Sequence, residues 1–226
     1  MEQLLIVGAS RGLGEALTRL ALDRGGAVTA LVRAPEALAA LKTASPRLTV
    51  LEADVRSEDQ IKRAAALVQS SFDAIVYNAA VHLEHDRRDV EACDPEALSA
   101  TFEVNATGAV RTVKWFRRWL KPNGLLVFIS SEAGGITSAW RTSEYGYCMS
   151  KAALNMFAKL MANRELAQGS GVKVLALHPG WVRTDMGGRN AELSAEEAAT
   201  AILDTLGSGH QLSAVFVDRF GEPLDW

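Results

Sequence analysis

The chain has 226 residues, 48% of them hydrophobic and 23% charged, with a mean hydropathy of +0.04; this is enough for one α/β domain and too little for two comfortable ones. Its 24 Lys and Arg stand against 27 Asp and Glu, a net charge of −3, which excludes a protein that holds nucleic acid by neutralising phosphates and points to a small ligand. No stretch approaches the roughly 18–20 continuous apolar residues of a membrane span, and Met1-Glu2-Gln3 lacks the basic region of a signal peptide, so neither membrane contact nor secretion is expected.

Gln3 to Gly8 is a short apolar run ending in glycine, which predicts a buried strand. Gly14 to Asp23 has helical spacing, Ala27 to Val32 is β-like, and Pro35 to Thr43 is helical. Arg47 to Glu52 alternates as a strand. Ser57 is placed to cap a helix running to about Ser70, with Glu58 and Asp59 in its first turn. Phe72 to Tyr77 is the fourth strand. Pro95 to Leu120 predicts one long or broken helix, stopped by Lys121-Pro122-Asn123-Gly124. Leu125 to Ile129, Val172 to Leu177 and Ala214 to Val217 complete the strands, with helices at Tyr147 to Gln168 and Ala195 to Leu206. The strand–helix alternation predicts one Rossmann-type, doubly wound parallel sheet of about seven strands, with helices on both faces and no linker or repeat dividing the chain.

Cys93 and Cys148 have neither metal-ligand nor redox spacing, which suits a reducing cytoplasm. His82, His85, His178 and His210 form no ligand set, so no metal is expected. His82 and His85 sit in a polar stretch and are read as solvated surface residues.

Between the first strand and first helix stands Gly8-Ala9-Ser10-Arg11-Gly12-Leu13-Gly14. Glycines there allow a tight turn and close approach of backbone N–H groups to phosphate, and the helix N-terminus offers partial positive charge to a pyrophosphate. The position of the turn therefore predicts a dinucleotide site. The second strand ends Leu31-Val32-Arg33 without the acidic residue that would accept from a ribose 2′-OH. Arg33 and Arg11 are placed to pair with a 2′-phosphate, which favours NADP(H) over NAD(H). Tyr147 and Lys151, four apart at a helix start, share one helix face, where a nearby ammonium favours ionisation of the phenol. A serine at the carboxyl end of a parallel strand faces the ligand crevice. Ser130 and Ser131 both meet that condition.

The G-x-x-x-G-x-G spacing, Tyr147 with Lys151, and Ser131 together resemble the short-chain dehydrogenase/reductase family. That resemblance covers essentially the whole chain, and it implies a tetrad of Asn105, Ser131, Tyr147 and Lys151, with Ser130 as second choice for the serine. It further implies adenine contacts at Asp54 and Val55, and a cofactor-facing segment Asn78-Ala79-Ala80 in which Tyr77 and Ala80 depart from the family pattern. Asn78 is expected to hold neighbouring backbone rather than substrate. Pro179, Gly180, Val182 and Thr184 are implied to meet the nicotinamide. Asn105 is implied to lie at a helix irregularity, in keeping with the poor propensity of Asn inside helices. The sixteen residues from Ser131 to Tyr147 and the Gly221 to Trp226 tail resemble one branch, the C-factor and sniffer-like carbonyl reductases.

The resemblance implies an NADPH-dependent reductase of a small-molecule aldehyde or ketone, with Tyr147 as proton donor. An alcohol dehydrogenase running toward oxidation, or a non-catalytic NADP-binding regulatory protein, are the alternatives. Trp140, Tyr145, Trp181 and Met186 are candidates either for an apolar substrate pocket or for packing. On Lys114 to Lys121, Val113, Phe116 and Leu120 face one way and Trp115 with Trp119 another, which predicts one core face and one facing a partner subunit in a homodimer or homotetramer.

Overall fold

A computed structural model describes residues 1–83, 89–208, 212 and 214–226. His85 and His210 lie outside the described residues. The strands are β1 (Gln3–Val7), β2 (Ala27–Val32), β3 (Leu48–Glu52), β4 (Phe72–Tyr77), β5 (Leu120–Ile129), β6 (Lys173–His178) and β7 (Phe216–Asp218). They form one sheet in the order β3-β2-β1-β4-β5-β6-β7, and every pairing is parallel. The order reverses between β1 and β4, the place where such sheets open a ligand crevice at their carboxyl ends.

The continuous apolar strands reflect cover on both faces. In β1 successive side chains alternate: Leu4 and Ile6 enter one core, Leu5 and Val7 the other. The first core is closed by α1 (Gly12–Asp23) and α7 (Ala195–Gly207), through Leu13, Leu17, Ala198 and Ile202. The second is closed by α3 (Glu58–Ala66), α5 (Gly108–Phe116) and α6 (Tyr145–Ala167), through Ile61, Phe116 and Leu154. A short α2 (Ala39–Ala44) follows a 3-10 turn at Pro35–Leu38, and α4 (Pro95–Phe102) precedes α5. Ser57 caps α3 as expected by accepting from the Gln60 N–H, although that helix ends at Ala66. Ser194 and Glu197 cap α7 reciprocally.

The segment read as one long or broken helix is broken. Between α4 and α5 the backbone widens into a π-helical turn over Glu103–Thr107, and a 3-10 turn at Arg117–Trp119 leads straight into β5. Lys121 to Gly124, expected only to stop the helix, belong to β5. They form a bulge there, because Leu120 pairs with Phe72 while Leu125 pairs with Ala74. Val113, Phe116 and Leu120 are buried as predicted. Trp115 is partly covered within the chain: its indole donates to Glu58 at 3.3 Å, and Lys62 and Lys114 lie over the ring. Among the described residues no helix is long and apolar enough to cross a membrane.

Candidate active site

The glycine turn is shaped by close approach. Gly8 takes φ +82°, and a Cβ there would lie 2.7 Å from Ala79 Cα. A Cβ on Gly14 would meet the Gly8 carbonyl and the Asn78 amide. That amide donates to the Gly8 carbonyl at 2.9 Å, so Asn78 holds the turn, the role expected of it. The first turn of α1 carries no side-chain cap, and its amides head a concave backbone surface of the kind that receives a pyrophosphate. Gly12, at φ +56°, faces Thr184 from the segment after β6, which brings the two halves of the predicted cofactor site together. Ser10 is half-buried within this turn, and Leu13 is buried behind it.

Arg33 is exposed at the end of β2. Arg11 crosses the cleft to Asp185 at 2.7 Å, with both side chains largely in solvent. Asp54, after β3, is gripped by Arg56 at 2.7 Å, which holds its carboxyl below the ordinary range, with Arg33 adding to the effect. Val55 is buried beside Gly108.

The tetrad candidates converge at the carboxyl ends of β4 and β5. Asn105 is fully buried inside the π turn. Its carboxamide oxygen accepts from the Val81 N–H at 2.8 Å, and its nitrogen donates to the Val81 carbonyl at 2.9 Å and to Ser150 Oγ at 3.0 Å. Through Val81, the segment after β4 is thereby stitched by Asn105 to α6. Tyr77 was only a departure from a pattern in the sequence. Here its hydroxyl donates to the Val104 carbonyl at 2.5 Å and fixes the turn from below. Burial pushes that phenol well above its usual pKa, so it stays a neutral donor.

Ser131 lies two residues past the end of β5, where its hydroxyl favours ionisation of the Tyr147 phenol, while its Oγ accepts from the Ala133 N–H at 3.1 Å. Ser130 points elsewhere, donating to Asn155 Oδ1 at 2.5 Å. Tyr147 stands in the first turn of α6. Lys151, one turn on, lies with Nζ 5.7 Å from the Tyr147 ring centroid and donates to the Ile129 carbonyl at 2.8 Å. Burial dominates both groups. It pushes the phenol up to about 12 against the opposing pull of the Ser131 hydroxyl and Arg141, and the Lys151 ammonium down to about 7. The expected lowering of Tyr147 by Lys151 is not among these effects, and desolvation sets the direction.

The sequence missed what packs around Tyr147. His82, read as a solvated surface residue, has a side chain only 6% exposed, with Nε2 3.7 Å from Glu144. Its ring lies on the Tyr147 ring at 4.8 Å between centroids, tilted 30°. The correction is tertiary in origin, because the segment after β4 folds inward over α6. Glu144 adopts φ +64° at the N-cap of α6. Arg141 joins it at 2.9 Å to Glu132, which it meets at 2.7 Å. His178 Nδ1 accepts from the Glu132 N–H at 3.3 Å.

Pro179 and Gly180 follow β6. Gly180 takes φ +85°, with Arg219 where a side chain would start, and Val182 is buried. Of the aromatic pocket candidates, Trp140 and Trp181 are 75% and 53% exposed. Trp181 donates to the Gly187 carbonyl at 2.8 Å, and Tyr145 donates to the Thr142 carbonyl at 3.0 Å. The two tryptophans stand open to solvent, while Tyr145 and Met186 are half-buried. The C-terminal tail supports the same loop: the Trp226 carbonyl accepts from the Thr137 N–H at 2.7 Å, and its indole stacks on Phe216.

Residues 2–194 match the short chain dehydrogenase family model. The C-signal protein of Myxococcus xanthus is 34% identical, over 68% of this chain and 92% of its own. The carbonyl reductase Sniffer of D. melanogaster superposes with a TM-score of 0.91 at 25% identity, covering 100% of both chains. A carbonyl reductase from Pseudomonas aeruginosa PAO1 in complex with NADP superposes at 0.85 with 32% identity, again over 100% of both chains. The glycine turn, Tyr147 with the buried Lys151 on α6 and these likenesses agree: the chain belongs to the short-chain dehydrogenase/reductase family of oxidoreductases, in its C-factor and sniffer-like branch.

Proposed function

We propose that the protein is an NADPH-dependent carbonyl reductase acting on a small aldehyde or ketone, with Asn105, Ser131, Tyr147 and Lys151 as its tetrad. The observation that carries this reading is the half-buried Tyr147, with Ser131 acting on its phenol and the buried Lys151 5.7 Å from its ring, past the carboxyl end of β5. The cofactor fits the residues present: Gly8 and Gly14 leave a cradle that any Cβ would fill. Ser10, Arg11, Gly12, Leu13, Asp54, Val55, Ala79, Ala80, Pro179, Gly180, Val182 and Thr184 would complete its site. Bound there, NADPH would supply the hydride.

The protein's own part is positional and acid–base. Ser131 would hold the carbonyl oxygen, and Tyr147 would give that oxygen its proton as negative charge develops. Lys151 would steady the phenolate left behind and hold the nicotinamide ribose, with the Asn105 carbonyl organising a water that returns the proton. The preference for NADP(H) rests on Arg33 and Arg11 and on a second strand that ends without an acid. Comparable catalytic efficiency with NADH, or an Arg33→Ala variant with unchanged cofactor preference, would overturn it. The exposed Met149, Met156 and Leu160 on α6 and Val110 on α5 support assembly of this single-domain chain as a homodimer or homotetramer. Its place is the cytoplasm.

The test is NADPH oxidation against a panel of small carbonyls. The parent protein should turn over, and Tyr147→Phe should lose at least ~100-fold in kcat, the lower end of what a general acid contributes, with NADPH affinity retained. Turnover retained in that variant refutes the assignment.

A further inference from the structure

His82 is the one titratable side chain that touches Tyr147 by ring contact among the described interactions, and the mechanism above leaves it without a task. Three observations converge on it. Its ring lies 4.8 Å from the Tyr147 ring, close enough for charge on one to be felt by the other. Its Nε2 faces the Glu144 carboxylate at 3.7 Å, with the side chain out of solvent. Glu144 in turn is held at an unfavourable left-handed backbone by Arg141, itself clamped to Glu132 beside Ser131. A strained non-glycine residue at a helix N-cap needs surroundings that over-determine it, and here those surroundings aim a carboxylate at the histidine.

We propose that His82 is a positioning residue for proton donation: as an imidazolium held by Glu144, it presents positive charge to the Tyr147 ring and stabilises the phenolate as it forms. In the step the Tyr147 O–H bond breaks and its proton passes to the carbonyl oxygen, while hydride reaches the carbonyl carbon. His82 keeps its own proton throughout. This inference rests on the reductase reading. Among the described residues, the charged and titratable groups that face this arrangement are Glu144, Arg141 and Glu132 from the loop, and Tyr147, Cys148 and Lys151 from α6. Burial lowers the Lys151 ammonium to about 7, so with His82 as a second cation the rate of reduction should fall with rising pH along two limbs, one for each cation.

The experiment compares the pH profile of NADPH-dependent carbonyl reduction in the parent, His82→Phe and Glu144→Gln. Phe keeps an aromatic ring against Tyr147 and removes only the charge. Below the limb, His82→Phe should lose about tenfold in kcat, equivalent to ~1.4 kcal/mol of barrier, with KM for NADPH unchanged, and its profile should retain the Lys151 limb alone. Glu144→Gln should move the His82 limb to lower pH, and the His82 ring titrated by NMR in the resting protein should move with it. An His82→Phe profile that matches the parent within twofold at every pH overturns the inference, as does an NMR midpoint insensitive to Glu144→Gln. A parent that turns over no carbonyl defeats the reductase reading itself, whereas a parent that turns over while the variants leave its limb in place defeats only the role of His82.

Discussion

Removing one oxygen atom tests how the π turn around Asn105 is held. In Tyr77→Phe the ring, 1% exposed in the parent, keeps its packing, but the Val104 carbonyl loses the donor that reached it at 2.5 Å. Val104 is itself buried, so water does not readily replace that donor. A buried acceptor left without its partner costs ~1–3 kcal/mol. Taking about 2 kcal/mol and the response usual for a chain of this size, Tm should fall by roughly 4–8 °C. Gly108 belongs to the same design, since a Cβ there would lie 2.5 Å from the Tyr77 hydroxyl; its lack of a side chain makes room for the bond. Urea unfolding of parent and variant, with the slope against denaturant unchanged, gives the difference directly. Because the turn carries Asn105, kcat should fall with KM for NADPH unmoved. A variant within about 0.5 kcal/mol of the parent, inside the range of ordinary surface substitutions, would refute the claim that the hydroxyl holds the turn.

Two further outcomes concern buried charge. Glu165, with 0% side-chain exposure, is held by Arg117 at 2.5 Å and by Ser170 at 2.6 Å, and Arg117 foremost keeps its carboxyl below the ordinary range. The unfolded chain therefore binds a proton where the folded one does not. The resulting stability is present above the ordinary carboxylate pKa and lost as pH falls through the folded value. Glu165→Gln should cost ~3 kcal/mol near neutrality, with a gap that narrows in acid; a gap constant with pH would contradict the pairing. Lys151, pushed down to about 7 by burial, has the opposite sign of effect. Its penalty is full below that value and disappears as pH rises toward the ordinary lysine range, so Lys151→Met should stabilise the resting protein most in mild acid and least in alkali, while ending turnover. Chemical unfolding at several pH values checks both.

The parts of this structure legible in the sequence are those governed by short-range pattern. Leu4 and Ile6 against Leu5 and Val7 are a period-two alternation that any covered strand must show, and the glycines of the first turn mark backbone approaches that no side chain permits. Asn105 signalled a helix defect through its own poor propensity, and a π turn is what formed. His82 could not be read in this way. The run that follows it in sequence, from Glu84 to Asp89, is polar, and only the return of α6 beneath it turns a surface expectation into a ring contact. The same holds for Arg141, whose two carboxylate partners are local in sequence but meet only because Glu144 adopts a left-handed backbone. Trp115 looked free for a partner subunit because nothing in its own helix shows that Lys62 and Glu58 of α3 come to meet it.

The ion pair between Arg11 and Asp185 makes cofactor choice an exchange rather than a simple attraction. A dinucleotide with a bare 2′-hydroxyl can enter and leave that pair intact, whereas one with a 2′-phosphate that recruits Arg11 must first displace Asp185. On the proposed preference for NADP(H), what the protein would gain from the phosphorylated form is then the difference between two partners for one guanidinium. The partner given up is an exposed carboxylate worth ~0–1 kcal/mol, and salt weakens it along with its competitor. Discrimination at Arg11 is accordingly less sensitive to ionic strength than discrimination at Arg33.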